Sequence, residues 1–224
     1  MGRFVVRVWL PDRPGALGLV ASRIGAVRGE IVGIEVLERG AGRAIDELVV
    51  ELPDPTVLPL LVCEVNAVDG VDVEDVRPAP AFQRDPRLHT LETAAALITA
   101  ASATEALTVL VEHTGLDLEA QWAAVVDAVG PTVTSCFGPV PAVEWLWAVI
   151  EERFSSQEPS TDDTAWTPLV SARLNLVLGR PGRPLRNRER RQLAAMAHVA
   201  DLRLAQMAAA GELAGTTPPR PPVV

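Results

Sequence analysis

The chain has 224 residues, of which 48% are hydrophobic and 22% charged, a composition typical of one large globular domain or two smaller ones. Its 20 basic residues are all arginine, and it contains no tyrosine. The composition therefore excludes a Schiff-base lysine, a pyridoxal-phosphate anchor and a phosphate-binding loop of the GxxxxGK[ST] type. The net charge of −9 also argues against non-specific binding to nucleic acid.

Basic residues gather near the C-terminus. Residues 180–224 carry a net charge of +5, whereas residues 1–84 carry −4 and residues 85–179 carry −10. We interpret the arginine cluster over 180–191 as the solvated start of a helix; docking onto acidic residues of this chain or a partner, and phosphate binding, are the alternatives.

The two cysteines, Cys63 and Cys136, lie in hydrophobic runs of different predicted domains, so we expect no disulfide between them. A reduced, cytoplasmic setting fits this usage. The first residues enter a strand pattern directly, with no apolar leader, and no apolar run is long enough to span a bilayer, so we expect neither a signal peptide nor a membrane helix.

Three prolines within residues 78–86 mark a domain boundary. We predict a first domain over 1–78, a linker over 79–89, a second domain over 90–211 and a disordered, proline-rich tail over 212–224.

Hydrophobic periodicity predicts the elements of the first domain. They are a strand over 4–10, a helix from 16, strands over 31–37 and 44–52, a helix from about 56, and a strand over 71–76. The order is βαββαβ, which predicts a ferredoxin-like α+β domain with both helices on one face of the sheet.

This order, with Asp12-Arg13-Pro14-Gly15-Ala16-Leu17 at the first strand-to-helix turn and Val68-Asp69-Gly70-Val71 before the last strand, resembles the ACT domain over residues 3–78. The resemblance implies a regulatory module that binds an amino acid or a related small metabolite, commonly at the interface of two copies whose sheets join edge to edge. Independently, Gly15 and the exposed N–H groups of the helix start predict an anion site suited to a carboxylate.

The resemblance supplies the candidate ligand-binding residues. They are Asp12, Arg13, Pro14, Gly15, Ala16 and Leu17. Asp12 would hold the ammonium group of the ligand and Arg13 its carboxylate; the alternative is a purely structural turn capped by Asp12.

The uncharged, β-rich segment Ile31, Val32, Gly33 and Ile34 would aggregate if it were left exposed. We therefore expect a cover for it, either a second copy in a homodimer or the second domain.

The second half predicts an α+β domain as well. We expect one or two helices over 91–118, strands over 121–128 and 132–138, a helix over 142–154 with Trp145, Val149 and Ile150 facing inward, strands over 165–169 and 174–178, and a helix over 187–210.

The last strand, the Arg-rich turn from Gly179 and the long alanine-rich helix resemble a GAF domain, over roughly residues 88–210. GAF domains bind small molecules such as cyclic nucleotides, haem or tetrapyrroles, or serve as dimerising scaffolds. This sequence departs from the ligand-bearing kinds, because no cysteine sits beside a histidine for tetrapyrrole attachment and the absence of lysine forbids the full Asn-Lys-Phe-Asp-Glu motif.

The sequence offers little for catalysis or metal binding. His89, His113 and His198 are isolated from one another, and there is no Gly-x-Ser-x-Gly motif. We therefore expect a non-enzymatic sensor without cofactor or metal, which binds a free amino acid, forms a homodimer and acts on a protein partner of unknown identity, but on neither nucleic acid nor membrane. A scaffold that only dimerises and docks a partner, and an enzyme with a site hidden from the sequence, are the alternatives.

Overall fold

The computed structural model describes residues 1–79, 86–155 and 163–215. The chain forms two compact units, Met1–Gln83 with Arg186–Arg188, and the remaining residues. Both are α+β, and each contains one four-stranded antiparallel sheet, which confirms the predicted fold class.

The first unit has the predicted βαββαβ order. Its elements are β1 (Gly2–Pro11), α1 (Ala16–Ala26), β2 (Glu30–Gly40), β3 (Arg43–Leu52), a 3-10 turn (Pro55–Val57), α2 (Leu58–Asn66) and β4 (Asp72–Pro78). The strands lie in the order β2-β3-β1-β4, the ferredoxin-like arrangement, with β1 in the middle and β2 at an edge.

Alternation along β1 and β3 builds the core of this unit. Val6 and Val8 on β1 face the helices together with Leu48 on β3, and α1 buries Val20 and Ile24 against them. Each such buried aliphatic side chain stabilises the fold by about 1.5–3 kcal/mol.

The other face of the same sheet carries an ion-pair cluster. Arg7 on β1 is buried, and its guanidinium lies 2.8 Å from Glu47 Oε1 on β3. Arg77 on β4 contacts the same oxygen at 2.9 Å and Asp75 at 3.0 Å. The two carboxylates compensate the charges of the two guanidinium groups.

The described residues of the second unit form the four predicted strands, and the first helical region consists of two helices. Its elements are α3 (Pro86–Thr99), α4 (Ala103–Asp117), β5 (Trp122–Asp127), β6 (Val133–Phe137), α5 (Val143–Ser155), β7 (Thr164–Leu169), β8 (Leu174–Gly179) and α6 (Asn187–Gly215). The strands lie in the order β6-β5-β8-β7.

Two apolar clusters cover the two faces of this sheet. One contains Leu110 of α4 and Met196 of α6, and the other contains Leu146 and Ile150 of α5. The predicted inward position of Trp145 is wrong, because the helix phase turns Leu146 to the sheet and leaves 45% of Trp145 exposed.

Helices α3 and α6 extend into the segments that were predicted to be the linker and the tail. α3 begins at Pro86, inside the predicted linker 79–89, since a proline fits the first turn of a helix. α6 continues to Gly215, past the predicted start of the tail at residue 212; residues 216–224 lie outside the described residues.

The sequence raised expectations about the cysteines and about membrane-spanning helices. Cys63 and Cys136 are both free and exposed. Within the three described segments, no helix combines the length and apolar character needed to cross a membrane.

Candidate ligand site at the β1–α1 turn

The turn between β1 and α1 is held by backbone hydrogen bonds. The N–H of Asp12 donates to the carbonyl of Gly42 at 2.9 Å, which ties the turn to the β2–β3 hairpin. The N–H of Arg13 donates to the carbonyl of Pro11 at 2.8 Å. The side chains of Asp12 and Arg13 take no part in these bonds, and both residues are exposed.

The first turn of α1 has no side-chain cap. Gly15 occupies the N-cap position with φ 89° and ψ −17°, a left-handed conformation that suits glycine. No side chain caps the helix, and its first turn contains no acidic residue.

The N–H groups at this helix start are available to a ligand. Within the described part of the chain, the N–H groups of Leu17 and Gly18 meet no hydrogen-bond acceptor, whereas that of Ala16 donates to Arg13. Pro14 has no N–H that could compete. Free N–H groups and the positive end of the helix dipole together attract an anion.

A buried carboxylate lies at the same end of the sheet. Asp46 on β3 is only 4% exposed, and its Oδ1 has no hydrogen-bond partner among the described residues. It stands opposite Val8, three positions from the Arg43 and Pro11 pair that closes this end of the two strands. Burial raises the pKa of Asp46; the charge of Arg39 lowers it, and the charge of Asp12 raises it further.

The structure places most of the predicted ligand residues on the surface. Asp12, Arg13, Pro14 and Gly15 are exposed, so all four can be reached by a small molecule. Leu17 is half-buried against the core. The side chain of Ala16 belongs to the core, so this residue can offer a ligand little beyond its backbone.

The predicted dimer segment lies on the edge strand β2. Val32 is 40% exposed and Ile34 52%, whereas Ile31 packs partly against the core of the first unit. The ladder of β2 with β3 shifts register between Ile31 and Gly33, which places Val32 at a bulge.

Asp46 was missed by the sequence analysis, although the sequence contains a signal for it. In β3, Ala44, Leu48 and Val50 alternate toward the helices, and Asp46 occupies the position of that alternation where an apolar residue is expected. A charged residue on the core face of a strand is a sign of function or of buried pairing.

Two arginines of the 180–191 cluster, Arg180 and Arg183, form ion pairs and hydrogen bonds within the second unit. Arg180 is 3% exposed; its guanidinium lies 2.7 Å from Glu189 Oε1 and donates to the carbonyl of Leu118 at 2.7 Å. Arg183 pairs with Glu119 at 2.7 Å. The predicted solvated helix start is therefore wrong for Arg180, and docking onto acidic residues of the chain describes these two arginines.

Two of the three histidines, His89 and His113, lie close together, although the sequence suggested that all three are isolated. His89 on α3 pairs with Asp117 on α4, and its ring centroid lies 5.5 Å from that of His113. The Thr93 hydroxyl donates to the His89 carbonyl and lies 2.9 Å from His113 Nδ1. Among the residues described, no three histidine, cysteine or acidic side chains are grouped so that they could hold a metal ion.

The chain matches no protein-family model, and it matches none of the curated proteins with which it was compared.

Solved structures show similarity to parts of the chain. The ACT domain of a GTP pyrophosphokinase from Chlorobium tepidum is 18% identical over 35% of this chain and 97% of its own, with a TM-score of 0.29. The GAF domain of a phosphoenolpyruvate-protein phosphotransferase from Acinetobacter is 11% identical over 57% of this chain and 97% of its own, with a TM-score of 0.41. A bacteriophytochrome from R. palustris is 9% identical over 82% of this chain and 44% of its own, with a TM-score of 0.43.

Proposed function

We propose that the chain is a non-enzymatic, cytoplasmic sensor of a free amino acid or a related small metabolite. The ligand binds at the β1–α1 turn of the first unit, next to an interface that two copies form through β2. Its occupancy is passed to the GAF-like second unit, which acts on a protein partner rather than on nucleic acid or a membrane.

One observation carries this proposal: the start of α1 is exposed and has no internal cap. In many helices, a serine, threonine or acidic residue at the N-cap position accepts a hydrogen bond from one of the first N–H groups. Here Gly15 provides no side chain, and the N–H groups of Leu17 and Gly18 point to no acceptor among the described residues. A ligand carboxylate would satisfy them and would interact favourably with the helix dipole.

The charged groups around the turn complement an amino acid. Asp12 and Arg13 are adjacent and exposed just before the α1 start, so a ligand that carries both an ammonium and a carboxylate group can meet opposite charges there. This assignment follows the resemblance of residues 3–78 to ACT domains.

Regulation would follow from linkage. A ligand that binds one dimer arrangement more tightly than another shifts the population toward the first, and it can do so only by the difference between the two affinities. The exposed side chains of Val32 and Ile34 on the edge strand provide an apolar contact for such a dimer.

The test is a thermal-shift and calorimetric titration of the full chain with the proteinogenic L-amino acids, comparing Gly18→Asp with Gly18→Ala. A Cβ at Gly18 would meet no atom within 4 Å, so the fold tolerates both substitutions. The aspartate places a carboxylate in the first turn of α1, where it competes with the ligand, whereas the alanine leaves the N–H groups free.

We expect at least one amino acid to raise the melting temperature of the wild type and of Gly18→Ala, and to lose more than tenfold in affinity for Gly18→Asp. Equal affinity for both variants, or no amino acid that binds the wild type, would contradict the ligand site.

A scaffold that only dimerises is the second candidate. The exposure of Val32 and Ile34 on an edge strand favours it, because this surface requires no ligand. A dimer that forms in the absence of any amino acid, and that is unchanged by all of them, would support the scaffold.

A further inference from the structure

Asp46 is a charged residue in an apolar setting. It follows the core-facing Ala44 and precedes the core-facing Leu48 on β3, and it stands opposite Val8, which is fully buried. Its own exposure is 4%, and its Oδ1 has no hydrogen-bond partner among the described residues.

An unpartnered buried carboxylate is costly and uncommon. Native proteins pair nearly all buried polar groups, and a buried charge without a partner destabilises the fold more than a neutral group does. Arg39 influences Asp46 through its charge, yet it leaves Oδ1 without a hydrogen-bond donor. Oδ1 of Asp46 can therefore accept a hydrogen bond from a donor that the described residues do not supply.

Asp46 lies at the same end of the first unit as the β1–α1 turn. Asp46 lies near the strand end at which Pro11 pairs with Arg43 and from which the turn leads into α1. The charge of Asp12, at the start of the turn, raises the pKa of Asp46, after burial as the main cause. The same end of the unit thus offers unsatisfied N–H donors at Leu17 and Gly18 and an unsatisfied acceptor at Asp46.

We propose that Asp46 is the residue that makes the site selective for ligands with a protonated primary amine, by accepting a charge-assisted hydrogen bond from that amine while the start of α1 binds the carboxylate. The inference rests on the proposed ligand site at the β1–α1 turn. It assigns to Asp46 the ammonium contact that the sequence resemblance gave to Asp12 alone. Asp12 then contributes a second negative charge at the start of the turn.

The chemistry favours an amine over other cations. An ammonium group has up to three N–H donors and one positive charge. Both complement a carboxylate oxygen that accepts no hydrogen bond from the protein. A metal ion would require further ligands, and no group of three such side chains occurs among the described residues.

The experiment compares matched probes that differ only at the amine. Each proteinogenic L-amino acid is paired with its 2-hydroxy acid and its N-acetyl derivative, and binding to the full chain is measured by calorimetry at neutral pH. We expect the wild type to bind the free amino acid at least tenfold more tightly than either analogue. In Asp46→Asn this preference should disappear, through weaker binding of the amino acid and unchanged binding of the hydroxy acid.

The control is Asp54→Asn. Asp54 is exposed at the opposite end of the sheet, and its Oδ1 accepts a hydrogen bond from the Thr56 N–H at 2.9 Å, which an asparagine oxygen also can do. This variant removes the same charge and should bind every probe as the wild type does. Circular dichroism of both variants establishes that they are folded.

Each outcome bears on one claim. If Asp46→Asn is folded and keeps the amine preference, the role of Asp46 is wrong while the carboxylate site at α1 stands. If the wild type binds amino acid and hydroxy acid equally, selectivity for an amine is wrong. If no carboxylate probe binds the wild type, the proposed function fails and this inference fails with it.

Should Asp46→Asn be unfolded, Asp46→Ala takes its place and carries the same expectation, because it also removes the carboxylate that would accept the hydrogen bond.

Discussion

Arg180 and Glu189 form an ion pair at 2.7 Å across the loop that joins β8 to α6, with both side chains almost withdrawn from water. The same guanidinium also donates to the carbonyls of Arg183 and Pro184, at 3.0 and 3.1 Å. One side chain therefore organises the path of the chain from the sheet into the last helix.

Replacing Arg180 with alanine should destabilise the second unit by about 3–5 kcal/mol, because Glu189 would remain buried without its partner. The double variant Arg180→Ala with Glu189→Ala should recover part of this loss. Urea unfolding followed by tryptophan fluorescence measures both, with the exposed Arg191→Ala as control. A loss no larger than that of the control would show that the pair contributes nothing.

Replacing Asp46 with asparagine should stabilise the ligand-free protein at neutral pH, by roughly 1 kcal/mol, since it removes a buried and unpaired charge. Burial raises the pKa of Asp46 above its ordinary value of 3.8, so the folded state favours the protonated acid. The stability that protonation provides is complete below the ordinary value and is lost as the pH rises through the folded-state pKa.

The advantage of Asp46→Asn should therefore shrink as the pH is lowered toward 3.8. Urea unfolding of both proteins across a pH series, followed by circular dichroism, tests this slope. An advantage that does not change with pH would mean that Asp46 is not the titrating group. Asp54 provides the contrast, because the N–H of Thr56 lowers the pKa of that carboxyl.

Ser102 caps α4, and its replacement by alanine should cost about 1 kcal/mol. Its hydroxyl accepts a hydrogen bond from the Glu105 N–H at 3.1 Å, while the Glu105 carboxylate accepts one from the Ala101 N–H at 2.7 Å. Ser102→Asp keeps an acceptor at the cap and should retain most of the stability. Equal losses in the two variants, measured by thermal unfolding, would contradict a capping role.

Positive charges introduced on β2 should dissociate the proposed homodimer into monomers. Val32→Arg and Ile34→Arg place cations on the exposed edge strand, and sedimentation velocity should show a shift to monomer. Leu60→Arg on α2 is the matched control, since Leu60 is 52% exposed, as Ile34 is. A wild type that is monomeric at all accessible concentrations, or variants that dimerise as it does, would contradict an interface at β2.

The elements followed from the sequence because apolar periodicity and turn residues act locally. Alternation over Phe4–Leu10 and the helical spacing that follows Ala16 were sufficient for the order βαββαβ. The local pattern does not determine the phase of α5, because Trp145 and Leu146 are adjacent and both apolar. Only packing against the sheet decides which of the two is buried.

The polar groups that matter most could not be derived from local patterns. Arg180 belongs to a basic run that is typical of a solvated surface, yet Leu118 and Glu189 draw it into the interior through contacts distant in sequence. The alternation of Ala44, Leu48 and Val50 indicates the face on which Asp46 lies, but the absence of a donor for its Oδ1 depends on the packed structure. The uncapped start of α1 was predictable, since it requires only a glycine at the turn.

The central place of β1 affects how the first unit assembles. β1 pairs with β3 on one side and with β4 on the other, although β4 is made last. One row of N–H and C=O groups along the N-terminal strand therefore stays open on the ribosome until Asp72–Pro78 has emerged. A chain that ended before that segment would leave this row exposed as a template for aggregation, so the seven residues of β4 protect the strand at the centre of the sheet.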